Sequence, residues 1–77
     1  MPRFYFDLIE DDRLTSDDTG LDLEGLDTAR MEAQRGLGEM VRDAMPDGDN
    51  KMMALKIRDE RGQIPLTVMI TMTVISE

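Results

Sequence analysis

LDTARMEAQRGLGEMVRDAM, residues 26–45, is the stretch from which the fold is read. Apolar or small residues recur at Leu26, Ala29, Ala33, Leu37, Met40, Val41 and Ala44, and Glu32, Arg35, Glu39, Arg42 and Asp43 fall mostly between them. That spacing follows the 3.6-residue turn of an α-helix and leaves one apolar stripe to bury. Asp27 or Thr28 suits the first turn as a cap, Arg42 suits the negative C-terminal end, and Pro46 with Gly48 stops propagation. Gly36 and Gly38 each cost about 1 kcal/mol relative to alanine in a helix interior. They mark either a close approach of the backbone to the sheet or to a partner, or a defect that tertiary packing tolerates.

On both sides of the helix the period changes from 3.6 to 2. Before it, Arg3 to Ile9 alternates, with Phe4, Phe6 and Leu8 on one face and Tyr5, Asp7 and Ile9 on the other. Glu10-Asp11-Asp12 supplies turn chemistry, Arg13-Leu14-Thr15 returns as a short second strand, and Asp17-Asp18-Thr19-Gly20 is a further turn before an extended Leu21-Asp22-Leu23. After it, Pro46 to Asn50 reads as a loop and Met52 to Asp59 as a strand with Met53, Leu55 and Ile57 on its inner face. Asp59-Glu60-Arg61-Gly62 fits a type I turn closed by a left-handed glycine. The last strand alternates Ile64, Leu66, Val68, Ile70, Met72 and Val74 with Pro65, Thr67, Met69, Thr71, Thr73 and Ile75, and Pro65 places its start at an edge or a bulge.

These elements predict an α+β fold in the order β-β-α-β-β, with a single amphipathic helix on one face of a three- to four-stranded antiparallel sheet. Phe4, Phe6, Leu8, Leu37, Met40, Leu55, Ile57, Leu66, Val68 and Ile70 are the expected core. One helix leaves the second sheet face without cover, and that face carries Tyr5, Ile9, Met52, Ala54, Met69 and Ile75. Of the eight methionines, most fit the helix and strand periods as core filling, whereas Met52 and Met69 fall on the uncovered face. Tyr5, Met52, Ala54, Met69 and Ile75 are therefore the candidate surface for self-association as a homodimer, formed through this uncovered face or through an edge strand.

The net charge of −8 is local. Residues 7 to 27 hold nine acids (Asp7, Glu10, Asp11, Asp12, Asp17, Asp18, Asp22, Glu24 and Asp27) and one base, Arg13; the other residues hold eight acids and eight bases. Such a segment repels phosphate, and no basic stripe offsets it, so direct nucleic-acid binding is not expected. Asp11, Asp12, Asp17 and Asp18 are the candidate contacts for a basic protein partner. They are also the candidates for a divalent-cation or ligand site, the alternative reading. An EF-hand alignment on Gly20 puts Thr15 first and Leu26 last, so the closing glutamate is missing and that motif fails.

Length and composition narrow the remaining classes. Seventy-seven residues without cysteine, histidine or tryptophan suit one domain, 1–77, with no disulfide, no thiolate metal site and no imidazole base. Carboxylate pairs such as Asp7 with Asp11 or Asp12 lack the enclosing pocket that acid/base catalysis needs, so neither an enzyme nor a cofactor is expected. No apolar run is long enough to span a bilayer and the N-terminus lacks signal-peptide features, which predicts a cytoplasmic protein away from membranes.

The opening Pro2-Arg3-Phe4-Tyr5-Phe6-Asp7-Leu8, with Asp18-Thr19-Gly20, Leu23, Leu26, Ala29-Arg30, Glu32-Ala33, Ile57-Arg58-Asp59 and Gly62, resembles a family of short proteins of unknown function common in alpha-proteobacteria. The resemblance implies a free-standing bacterial cytoplasmic domain and carries no catalytic or cofactor residues. A second similarity, to antitoxin domains of HicB type, rests on Asp18 to Gly20 and on Asp27-Thr28 through Ala33. The proline and the glycine-cysteine turn of those proteins are missing here, so this similarity implies shared topology only. The expectation is a small non-enzymatic interaction or regulatory module, self-associating, with an acidic segment for a basic partner.

Overall fold

A computed structural model describes residues 1–44 and 50–76. Along the chain it places β1 (Arg3–Glu10), β2 (Arg13–Thr15), β3 (Leu21–Asp22), α1 (Leu26–Ala44), β4 (Asn50–Arg58) and β5 (Leu66–Thr73). All strand pairs are antiparallel, in the order β2-β1-β4-β5, with β3 also beside β1. This is the predicted α+β arrangement, with its first edge divided into two short pieces. Of the expected loop Pro46 to Asn50, residues 46–49, with the helix-stopping Pro46 and Gly48, lie outside the described residues, while Asn50 and Lys51 already belong to β4, two residues ahead of its expected start at Met52.

Register follows from turn chemistry. Asp11 opens a two-residue loop at φ 53, a left-handed conformation that aspartate tolerates, and so sets Glu10 opposite Arg13. The Asp59–Gly62 turn forms as its sequence predicts: Gly62 sits at φ 82 and its N–H donates to the Asp59 carbonyl at 3.0 Å. From that turn β4 and β5 pair along their whole length, from Ile57 opposite Leu66 to Asn50 opposite Thr73.

The helix stripe buries Ala29, Ala33 and Leu37 against Phe4, Met53, Leu55 and Ile57, with Phe6, Leu8, Met40, Val41, Leu66, Val68 and Met72 half-buried around them. Helix α1 lies chiefly over β4 and β5. It begins at Leu26, ahead of both expected caps: the Gly25 carbonyl accepts the Ala29 N–H at 3.1 Å, and Asp27 instead lies in the first turn, where a negative charge suits the dipole. A methyl group at Gly36 or Gly38 would meet nothing within 4 Å, so neither glycine marks a close approach to the sheet.

Two expectations about the last strand are corrected. Ile70, placed in the core by its period, is 37% exposed, because β5 is an edge strand with a neighbour on one side only. The strand itself is shorter than its alternation, and Ile64, Pro65, Val74 and Ile75 fall outside it.

Candidate functional site

The face of β1 turned away from the helix carries Tyr5, Asp7 and Ile9, and the same face of β4 carries Arg58, Lys56 and Ala54. Register sets Tyr5 opposite Arg58 and Asp7 one step along, so a buried carboxylate meets a guanidinium. Asp7 is only 7% exposed. Arg58 donates from Nε to Asp7 Oδ2 at 3.0 Å and from Nη2 to Asp7 Oδ1 at 3.2 Å and to the Asp17 carbonyl at 3.0 Å. Its guanidinium carbon lies 4.6 Å from the centre of the Tyr5 ring, within cation–π range.

Asp17 completes the cluster from the connection between β2 and β3. Both short strands flank the same edge of β1, β3 at Arg3 and Phe4 and β2 from Leu8 onward, which leaves Phe6 with no strand opposite on that side. The Asp17 carboxylate fills the gap: Oδ2 accepts the Phe6 N–H at 3.0 Å, and Oδ1 accepts those of Thr19 at 3.0 Å and Gly20 at 3.1 Å. The Asp17 N–H in turn donates to Asp7 Oδ1 at 2.9 Å. Gly20 is required here, at φ 73, because a β-carbon would lie 2.9 Å from the Phe4 carbonyl oxygen and 2.9 Å from the Tyr5 ring.

The cluster ties the connection between β2 and β3 to β1 and β4. Hydrogen bonding from Arg58 holds the Asp7 carboxyl below the usual carboxylate range. Burial opposes ionisation of Asp17, but the amides of Phe6, Thr19 and Gly20 outweigh it and also keep that group low. Asp7 raises the Arg58 pKa further above its ordinary value. Neither acid has the raised pKa that a general acid needs, and both have their oxygens occupied. The pairing of Asp7 with Asp11 or Asp12 does not occur; Arg58 and Asp17 are its partners. Arg58 was missed because its role depends on strand register, although its opposite charge to Asp7 on the uncovered face was a usable signal.

The other candidates separate. Asp11 accepts the Met52 N–H at 3.1 Å and anchors the first hairpin to β4. Asp12 and Asp18 are exposed. Among the described residues, no group of three or more acids is placed to hold a metal ion. On the uncovered face Tyr5 and Met52 are half-buried, while Ala54 is fully buried and offers no contact surface, because Ile9 and Met69 stand opposite it on both neighbouring strands. Met69 is 59% exposed and Ile75, beyond the strand, 85%.

The side of the molecule bounded by β5 differs from the acidic side. Among the described residues no strand pairs with the outer edge of β5. Beside it an open groove of about 250 Å³ runs between strand and helix, lined by Gln34, Leu37, Gly38, Val68, Met69 and Ile70. The family described as "Domain of unknown function (DUF6894)" matches residues 3–71, which include every strand but the end of β5. The chain belongs to the DUF6894 family. Comparison with curated proteins and with solved structures gave no match. Membership of the DUF6894 family brings no activity or ligand, and among the described residues no helix is long and apolar enough to cross a membrane.

Proposed function

We propose that this DUF6894 domain is a non-catalytic interaction module that works as a homodimer. The observation that carries this reading is the eight-residue strand β5, which bounds the sheet with no charge between Arg61 and Glu77 in a chain of net charge −8. Met69 and Ile70 lie exposed on its two faces. An unpaired apolar edge of this length is a template for another chain, and self-association adds burial that a core this small lacks. Light scattering is expected to give twice the 8.8 kDa of the chain, and a monomer across the concentration range would refute the reading.

The acidic edge supports a second contact, with a basic protein partner. Asp12 and Asp18 are exposed, so their charge faces solvent and can steer such a partner at low salt. Replacing both with asparagine is expected to abolish salt-sensitive binding of a basic protein in a pulldown. Unchanged binding would remove this second contact and leave the dimer reading intact.

A further inference from the structure

The mode of that self-association can be taken further by asking which backbone groups β5 leaves open. The Asp11 N–H donates to the Met52 carbonyl at 2.9 Å, and the Met52 N–H donates back to Asp11 Oδ1, so the peptide groups of Met52 point towards β1. Backbone direction alternates along a strand, so Lys51, Met53, Leu55 and Ile57 point towards β5. Their partners are Met72, Ile70, Val68 and Leu66. The amides and carbonyls of Thr67, Met69, Thr71 and Thr73 therefore point outwards from the edge, and the only proline nearby, Pro65, lies just before the strand begins.

Resting on the homodimer reading, we infer that two copies join by antiparallel pairing of β5 with β5 about a two-fold axis at Ile70. In that register Thr67 lies opposite Thr73 of the other copy and Met69 opposite Thr71, so all four outward-facing residues enter hydrogen-bonded pairs, each exchanging two bonds. Centring on Met69 instead would set Thr73 against Pro65, which has no N–H to give. About Ile70 the sequence 66-LTVMITMTV-74 mirrors apolar on apolar at Leu66/Val74 and Val68/Met72 and threonine on threonine at Thr67/Thr73, and only Met69/Thr71 differ in kind. Leu66 meets Val74, Val68 meets Met72 and Ile70 meets Ile70 on the helix side, while Thr67–Thr73 and Met69–Thr71 pairs form on the other.

Charge selects a second copy as the occupant. The acidic segment packs along the opposite edge, beyond β1, so joining at β5 keeps the two acidic edges as far apart as the sheet allows. Pairing at the acidic edge would instead bring like charges together. Joining at β5 also closes the open side of each groove at Val68 and Ile70, and gives a continuous sheet with both helices on one face.

The chain has no cysteine, which makes the test direct. Residues at a non-hydrogen-bonded antiparallel pair have Cα atoms about 4.5 Å apart, within the range of about 4.4–6.8 Å that a disulfide spans. Ile70→Cys is expected to crosslink to itself nearly completely under mild oxidation, while Leu14→Cys, exposed on β2 at the other edge, stays monomeric on a denaturing gel. Thr71→Pro removes an outward N–H without touching the pairing to β4, so it is expected to halve the mass seen in light scattering while keeping the circular dichroism of the parent. If the parent is a dimer but Thr71→Pro remains one and Ile70→Cys does not crosslink, edge pairing is overturned and self-association stands. If the parent is a monomer, both are overturned.

Discussion

The two edges of the sheet solve the same problem in opposite ways. Both present backbone donors and acceptors that need partners. On the β1 side the chain covers its own edge with two short strands, and where they part at Phe6 the Asp17 carboxylate takes the place of a strand. Charged residues crowd that edge, and charge on an edge disfavours pairing with another strand. On the β5 side there is neither charge nor bulge nor interruption across eight residues. One edge is closed by the chain's own acids, and the other carries no charge from Gly62 to Ser76 and, among the described residues, no strand beside it.

This contrast can be broken from either side. The largest effect is expected from Leu37→Ala, which empties the shared core beneath both edges and should cost about 2 to 5 kcal/mol; chemical denaturation measures it, and a negligible change would contradict the burial of Leu37. Gly20→Ala, strained at φ 73 and crowded against the Phe4 carbonyl, should cost about 3 kcal/mol. Hydrogen exchange should then show the β2–β3 side opening before β4 and β5. Asp17→Ala leaves the amides of Phe6, Thr19 and Gly20 without their acceptor and should cost about 2 kcal/mol, worth roughly 8 to 16 °C in melting temperature for a chain this size.

Titration probes the closed edge alone. Asp7 and Asp17 both have folded pKa values below their unfolded ones, so the stability they supply is complete above about pH 4 and is lost as pH falls through the lower folded values. Melting curves should drop on acidification below that point, and Asp17→Asn should flatten the drop. The smallest effect on the fold is expected on the open edge. Met69→Asp adds a charge to an exposed position, so it should shift the stability of the folded chain by no more than about 0.5 kcal/mol in chemical denaturation, while weakening the proposed dimer in light scattering.

Much of the closed edge was legible as composition and little of it as structure. The acids of residues 7–27 were visible as a cluster, and the turns at Asp11 and Gly20 were predicted from local chemistry. Their division of labour was not: Asp17 bonds the backbone, Asp7 binds Arg58 fifty-one residues away, and Asp12 and Asp18 face solvent. Local rules cannot make that distinction, because it depends on which strand lies opposite. The same reason accounts for Ala54, whose alternation put it on the uncovered face correctly. Its larger neighbours Ile9 and Met69 on both flanking strands bury it there.

The sequence by itself determined what depends on neighbours in the chain: the helix from its 3.6-residue stripe, the strands from their alternation, the turns at Asp11, Gly20 and Gly62, and the restriction of net charge to one segment. Only the tertiary structure decided what depends on register and strand order. It put Arg58 against Asp7, divided the first edge so that a side chain had to complete it, and made β5 an outer strand, exposing Ile70. Periodicity specifies the face on which a side chain lies, but which strand stands beside it, and whether any does, is settled only when the sheet assembles.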